Sequence, residues 1–303
     1  LDRGQHTKKE YLRYFPSLNV SYNLAENLIA RGSVYQSVGR PNFDQYAGGL
    51  TLPDTELPGT PTANRISVNN AGIKAWSANS MKVRFEYYFQ RVGQISIGAF
   101  RRDFENLFAS TVFQATPEFL ALYDLDEETF LPYYVTTNFN APGRVRMEGT
   151  EFDYKQSLTF LPQWARGVQV FANMSAQRAV GDTTASFSNY QPRTYNWGVS
   201  LSRPKFNVRM NWNYRGRRRG AYIAESPRSI EAGTYTWQSK RLYIDLSGEY
   251  NLTRRIGIFA SMRNLNDAVE DTERRGPNTP EHAQLNSRED FGGLWTFGVK
   301  GTF

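Results

Sequence analysis

The sequence predicts an all-β chain forming the wall of a transmembrane antiparallel β-barrel, and three observations predict it. The first is the stretch Trp295–Phe303. Trp295, Phe297, Val299, Gly301 and Phe303 fall on one side of an extended strand, and Thr296, Gly298, Lys300 and Thr302 on the other. Period-two alternation of this kind marks a strand with unlike faces. The second observation is that the pattern recurs along the chain, eleven times in all. The third is that short turns and long loops take turns in joining the repeats. A soluble sandwich also alternates, but it does not sort its connections so strictly by length. Segments of about ten residues, apolar outside and polar inside, fit a barrel in lipid.

The elements follow in order. Leu18, Val20, Tyr22 and Leu24 alternate with Asn19, Ser21 and Asn23. The turn Ala25-Glu26-Asn27 leads to Leu28, Ala30, Gly32 and Val34, and then to a Gly/Pro/Asn-rich loop over roughly 36–78. Met81, Val83, Phe85, Tyr87 and Phe89 oppose Lys82, Arg84, Glu86 and Tyr88. A turn around Arg91-Val92-Gly93 precedes Ile95, Ile97 and Ala99, which oppose Ser96, Gly98 and Phe100. The loop over about 104–143 includes Pro117–Thr129, which reads as a short helix. Phe152, Tyr154, Leu158 and Phe160 then face away from Asp153, Lys155, Ser157 and Thr159. Past the turn Pro162–Gly167 come Val168, Val170, Ala172 and Met174, and past a loop at about 178–193 come Tyr195, Trp197, Val199 and Leu201. Arg203-Pro204-Lys205 turns into Phe206, Val208, Met210, Trp212 and Tyr214. The loop Arg215–Thr234 leads to Leu242, Ile244, Leu246 and Tyr250, and Thr253-Arg254-Arg255 turns into Ile256, Ile258, Ala260 and Met262. A last loop, about 265–292, precedes the terminal strand. Lys82, Arg84, Glu86, Lys155, Arg209, Asp245, Glu249 and Lys300 all fall on the face opposite the apolar one. Trp164, Trp197, Trp212, Trp237 and Trp295 supply interfacial girdles.

Composition narrows the classes. The 303 residues include no cysteine, which excludes disulfides and thiolate metal sites. His6 and His282 are far apart in sequence, which argues against a histidine metal site. Aromatics at 15% with a mean hydropathy of −0.59 suit half-apolar strands and polar loops. No apolar run reaches the about 18 residues of a membrane-spanning helix. The net charge of +7 is dispersed along the chain, which reads as solvated and lumen-facing charge and not as a nucleic-acid surface. Leu1 is not a methionine, and Leu1–Glu10 lacks the regions of a signal peptide. An odd strand number, where bacterial single-chain barrels have even ones, points to a fragment of a larger barrel.

Several stretches resemble TonB-dependent outer-membrane receptors. They are Tyr14-Phe15-Pro16-Ser17-Leu18-Asn19-Val20, Gly39-Arg40-Pro41-Asn42-Phe43, Asn69–Trp76, Gly149-Thr150-Glu151-Phe152, Arg263-Asn264-Leu265-Asn266-Asp267 within Phe259–Asp267, and the terminal Phe303. The resemblance runs from about residue 11 to 303. It implies a bacterial outer-membrane barrel of about 22 strands, filled by an N-terminal plug that this chain lacks. It also implies coupling to TonB through that missing part, and uptake of a scarce nutrient: a ferric siderophore, cobalamin, haem or an oligosaccharide. On this reading residues 1–303 are the C-terminal half of the barrel, with outer-membrane lipid and lipopolysaccharide as surroundings. Phe303 then belongs to a terminal pattern that the bacterial assembly machinery reads.

No serine–histidine–acid set, catalytic carboxylate pair or Gly-rich phosphate loop stands out, so the sequence points to no enzyme and no cofactor. Asp124, Asp126, Glu127 and Glu128 lack the glycine and spacing of a calcium loop and read as a solvated helix start. Arg215, Arg217, Arg218 and Arg219 crowd one strand end, where they form a solvated rim or hold lipopolysaccharide phosphates or an anionic ligand. By parity the residues most exposed to ligand are Arg102, Gln177, Arg209, Arg215, Trp237 and Arg263. A passive porin and a soluble β-rich binding protein are the rival readings.

Overall fold

The computed structural model describes residues 14–47, 49–61, 63–89, 92–181, 189–223 and 230–301. Their largest unit is one eleven-stranded antiparallel sheet, with strands in chain order. The strands are β1 (Ser17–Ala25), β2 (Leu28–Gly39), β3 (Trp76–Phe89), β4 (Gly93–Glu105), β5 (Arg144–Ser157), β6 (Val168–Gly181), β7 (Arg193–Ser202), β8 (Phe206–Arg215), β9 (Arg241–Asn251), β10 (Ile256–Arg263) and β11 (Leu294–Gly301). β1 and β11 do not pair with each other, so the sheet is open.

Directly paired residues of an antiparallel ladder share a face, so the register shows what each side of the wall presents. Ala30, Phe85, Ile97, Phe152, Met174, Tyr195, Tyr214 and Leu242 form one continuous cross-strand row. The next row, on the other face, is Arg31, Arg84, Gly98, Glu151, Ser175, Thr194, Arg215 and Arg241. That second row starts near a short turn on β2 and ends at the loop ends of β8 and β9, the stagger that accompanies strand tilt in a barrel. The first face leaves large apolar side chains uncovered: Phe85 is 49% exposed, Ile97 57% and Phe297 83%. A water-facing surface of that extent would be an aggregation hazard; facing lipid, it is the expected solvent contact. On β3 the apolar outward positions run from Phe89 to Met81, about 27 Å along the strand. A tilt of about 40° reduces this to about 20 Å of height, close to the apolar band of outer-membrane barrels.

The strands outrun the alternation that announced them. β2 continues to Gly39 and β3 begins at Trp76, so the intervening loop is shorter at both ends than 36–78. β5 starts at Arg144, well before Phe152. The cause is that the loop ends of strands rise past the lipid, where Arg101, Asp103, Arg146 and Glu148 replace apolar residues in the outward rows. Pairing persists where the pattern fades. One assignment was wrong: β5 ends at Ser157, so Leu158 and Phe160 belong to the turn and not to the lipid face. There the Leu158 amide donates to the Val168 carbonyl at 2.9 Å. Gly167 closes that turn at φ +92°, with the Ser202 carbonyl only 2.3 Å from where a Cβ would stand.

The girdle expectation holds in part. Trp197 and Trp212 stack on the outward face at 6.2 Å and 3°, and Trp295 is 61% exposed there. Trp164 stands in a short 3-10 turn, Gln163–Ala165, and Trp237 is not in the wall at all. Thr302 and Phe303 lie outside the described residues.

Two smaller sheets fold from the long loops. One joins Leu50–Thr51, Ile66–Val68, Tyr134–Asn140 and Phe108–Gln114, with Ile66–Val68 parallel to Tyr134–Asn140. Helices Pro117–Leu122 and Glu127–Phe130 pack against it, two short helices where the reading of Pro117–Thr129 expected one. Thr116 caps the first through the Phe119 amide, and Asp126 the second through the Thr129 amide at 2.7 Å. Their core of Ile66, Val68, Ala115, Leu120, Tyr133 and Val135 is the chain's largest cluster of buried apolar side chains among the described residues. The second loop sheet joins Arg218–Tyr222, Tyr235–Gln238, Glu270–Arg275 and Leu285–Glu289.

The register yields a paired test. Met210 pairs with Val199 and Leu246 on the apolar face, while Asn211 pairs with Gly198 and Asp245 on the polar one. Met210→Arg should cost about 2–4 kcal/mol at lipid depth and reduce the heat-modifiable, membrane-inserted fraction, whereas Asn211→Arg should leave it unchanged. Equal losses would contradict the assignment of faces.

Candidate ligand-facing surface

The polar face of the wall carries a layer of ion pairs toward the short-turn end. Arg31 and Arg84 reach Glu86 at 3.1 and 3.4 Å, and Arg84 also holds Asp153 at 2.9 Å. Lys82 meets Glu151 at 2.6 Å, and Lys300 pairs with Glu249. Asn173 donates to Asp153 at 2.7 Å and Asn213 to Asp245 at 3.1 Å. A face this polar matches a wetted or protein-filled interior, not lipid.

On this face one packing device is repeated. Phe100 stands opposite Gly149, Phe171 opposite Gly198, and Phe259 opposite Gly298. A Cβ at Gly198 would lie 2.5 Å from the Phe171 ring, and one at Gly298 would lie 2.8 Å from Phe259. Each glycine thus leaves room for a ring to lie across the neighbouring strand. Two of the rings carry arginines: the Arg102 guanidinium is 5.2 Å from the Phe100 ring and that of Arg209 is 5.2 Å from Phe171.

The six residues singled out by parity divide accordingly. Arg102 and Gln177 share one inward patch: Phe100, Gly149 and Gln177 form a row, and Arg102 belongs to the next row toward the loops. Gln177 donates to the Gln191 carbonyl at 2.8 Å, tying the wall to the following loop. Arg209 lies apart, close to the Arg203–Lys205 turn, where its Nε donates to Asn211 at 2.9 Å. There it lines a cavity of about 360 Å³ with Arg84, Asp153 and Lys155. Arg215 ends β8 and lines a cavity of about 80 Å³ with Arg218, Gln238, Glu270 and Asp271. Trp237 sits in the second loop sheet, between Arg219 and Glu273. Arg263 ends β10 opposite Leu294 and is exposed. Arg215 and Trp237 therefore meet one loop assembly, Arg102 and Gln177 another part of the wall, and Arg209 the far end.

The motif Arg263–Asp267 turns out to bind strand ends together. β9 extends past β10, which leaves the backbone of Leu242 and Ile244 without a ladder partner on that side. Asn266 supplies one, accepting from the Ile244 amide at 2.9 Å and donating to the Leu242 carbonyl at 2.8 Å. Asn264 sits at φ 54° and donates to the carbonyls of Ala268 and Gly292 at 3.2 and 3.1 Å. Asparagine tolerates this left-handed conformation and bonds nearby backbone.

Charges in Glu270–Arg275, which the sequence reading left as loop, organise the second loop sheet. Glu270 receives Arg241 and the Tyr243 hydroxyl. Glu273 receives Arg275 at 2.6 Å. Arg288 grips Asp271 through two bonds of 2.7 and 2.8 Å, and this pairing holds the Asp271 carboxyl below its ordinary value. The available signal was the density of charge in this stretch, acidic at its start and basic at its end, which its lack of apolar residues concealed. Among the described residues no group of histidines and carboxylates could hold a metal ion.

The grip of Arg288 makes the loop sheet acid-sensitive. A lowered carboxyl contributes stability that is full above the unfolded value of about 3.9 and is lost as pH falls through the folded value. Amide protection in Glu270–Arg275 and Leu285–Glu289, measured against the intrinsic exchange rate at each pH, should therefore fall in acid. Asp271→Asn should be less protected near neutrality and lose that acid step. A step of equal size in the variant would assign it elsewhere.

Comparison with known proteins adds three findings. The family model described as "TonB dependent receptor-like, beta-barrel" matches residues 2–265. No curated protein sequence matches the chain. Among solved structures, a ferric enterobactin receptor variant from Pseudomonas aeruginosa, crystallised with enterobactin, superposes with a TM-score of 0.66 at 15% identity, covering 96% of this chain and 41% of that one. The siderophore receptor PirA from Pseudomonas aeruginosa gives 0.61 at 13% identity, with 96% and 42% covered. PirA from Acinetobacter baumannii gives 0.62 at 14% identity, with 96% and 41% covered. The chain thus spans about two-fifths of the length of these structures.

Proposed function

The chain belongs to the TonB-dependent receptor-like β-barrel family, and on that premise we propose that it forms the C-terminal part of the wall of an outer-membrane receptor. The receptor would take up a scarce nutrient, a ferric siderophore or similar chelate, with energy supplied through TonB. The observation that carries the reading is the two-faced wall itself. Its outward rows are apolar and its inward rows are laced with ion pairs, as a filled, wetted interior requires. The folded loop sheets at one end give such a receptor a structured roof. Arg102, Arg215 and Arg263 stand on the inner face toward that roof, and none of them forms an ion pair with another described residue. Cations so placed favour an anionic ligand, and the structures similar to this chain include a receptor crystallised with enterobactin. Open edges at β1 and β11 would be closed by further strands, since lipid tolerates no unpaired strand edge.

The test is uptake by the protein as expressed from its gene, in a strain stripped of its own receptors. Radioactive iron carried by catecholate and hydroxamate siderophores should enter only when TonB is present. Arg215→Glu together with Arg263→Glu should weaken ligand binding about tenfold or more, as expected for lost charge-assisted bonds. Entry that ignores TonB and tracks solute size would make the protein a passive pore.

A further inference from the structure

The outward face carries a depression. Across β4, β5 and β6 the row Ala99, Thr150 and Ala176 is in direct register. The row toward the short turns is bulky, with Ile97, Phe152 and Met174. The row toward the loops is charged, with Arg101, Glu148 and Arg178. The small side chains beside the charged row leave a groove of about 620 Å³, whose margin also includes Met81 and Val83 of β3 and Arg193 of β7. These strands lie in the middle of the sheet, so the groove does not arise from an open edge.

Its position is amphipathic. The groove straddles the boundary at which the outward rows change from apolar to charged. Arg193 ends the groove's own row beside Ala176, and in the rows above it Arg101, Arg144, Arg146 and Arg178 stand among three carboxylates, Asp103, Glu105 and Glu148. Arg101 binds Asp103 at 2.8 Å, Arg146 binds Asp103 at 2.9 Å, and Arg178 binds Glu148 at 2.6 Å. A guanidinium has more donors than these bonds use. Arg193 is exposed and makes no ion pair with another described residue. The groove therefore offers an apolar floor and a ledge with surplus positive charge.

We propose that this groove is a binding site for a phosphorylated membrane lipid. An acyl chain lies over Ala99, Thr150 and Ala176, and the phosphate bonds to Arg178 and Arg193, with Arg101 adjacent. Arginine suits a phosphate in fork geometry, and the chain gains apolar contact that the small side chains make available. The site rests on the wall's placement in a membrane and not on the nature of the cargo, so nutrient uptake and lipid retention are separate readouts.

The test purifies the protein from outer membranes in mild detergent and identifies retained lipid by native mass spectrometry. The intact protein should carry a phosphorylated lipid. Arg178→Ala with Arg193→Ala should retain about tenfold less. Ala176→Trp, which fills the groove and keeps every charge, should lose the lipid as well. Heat-modifiability establishes that each variant is folded; Arg193→Gln, a polar exchange on an exposed side chain, replaces any that is not. Phosphorylated lipid A should compete, and its dephosphorylated counterpart and inorganic phosphate should not. Equal retention by all variants, or displacement by inorganic phosphate alone, would overturn the proposal. So would efficient cross-linking of two copies through Ala176→Cys, a unique thiol in a chain without cysteine, because the groove would then be a contact between copies.

Discussion

Lipid offers a peptide group nothing to bond to, and the rest of this structure depends on that constraint. Amides and carbonyls in the apolar zone find their partners on the next strand, which forces extended, paired backbone and its period of two. Period two in turn lets one face dissolve in lipid while the other stays polar. The usual relation between burial and apolarity is thereby inverted in the wall. Phe85, Ile97 and Phe297 are uncovered, whereas Ser80 and Ser96 are each 3% exposed. Among the described residues, conventional buried apolar clusters lie in the first loop sheet, around Ile66, Leu120 and Val135, and where that loop region meets the wall, at Ala109, Ala141 and Val145.

The inner face answers a different demand. Some of its charges are linked across strands, Arg84 to both Glu86 and Asp153 and Lys82 to Glu151, while Arg102, Arg215 and Arg263 form no ion pair among the described residues. The phenylalanines laid over Gly149, Gly198 and Gly298 add apolar area to a polar surface and give Arg102 and Arg209 a ring to stack on. These pairs also hold neighbouring strands in register. A slip of one residue would place each ring against a side chain instead of a vacancy.

Much of the wall was legible in the sequence, because one rule operates on every strand within the lipid. The eleven strands and the parity of their alternating runs, from Leu18 to Lys300, can be read from alternation alone. The strand ends were not legible: past the lipid the rule lapses, as Arg144, Arg146 and Glu148 on β5 illustrate. Leu158 and Phe160 misled for the opposite reason, being apolar residues in a turn that happen to keep the phase. The loop sheets were hidden because their partners are remote in sequence: Ile66 pairs with Val135, and Trp237 with Glu273. Parity identified inward residues of the wall but not their height, so it grouped Arg209 with arginines at the other end; it also took in Trp237, which lies in the second loop sheet. The charges of Glu270–Arg275 carry no apolar signal, and their role emerges only with Arg241 and Arg288 in place.

The parallel pairing of Ile66–Val68 with Tyr134–Asn140 joins the loop after β2 to the loop after β4. Tyr133 reinforces the union, its hydroxyl donating to the Leu57 carbonyl at 2.8 Å, and so does Asn140, which donates to the Lys74 carbonyl at 2.7 Å. Each segment supplies part of the other's sheet and core. For protein engineering and for evolution alike, they are a single exchangeable module. A graft that transplants one and leaves the other would expose half of a core and an unpaired strand, whereas both together could be moved onto another barrel of matching register.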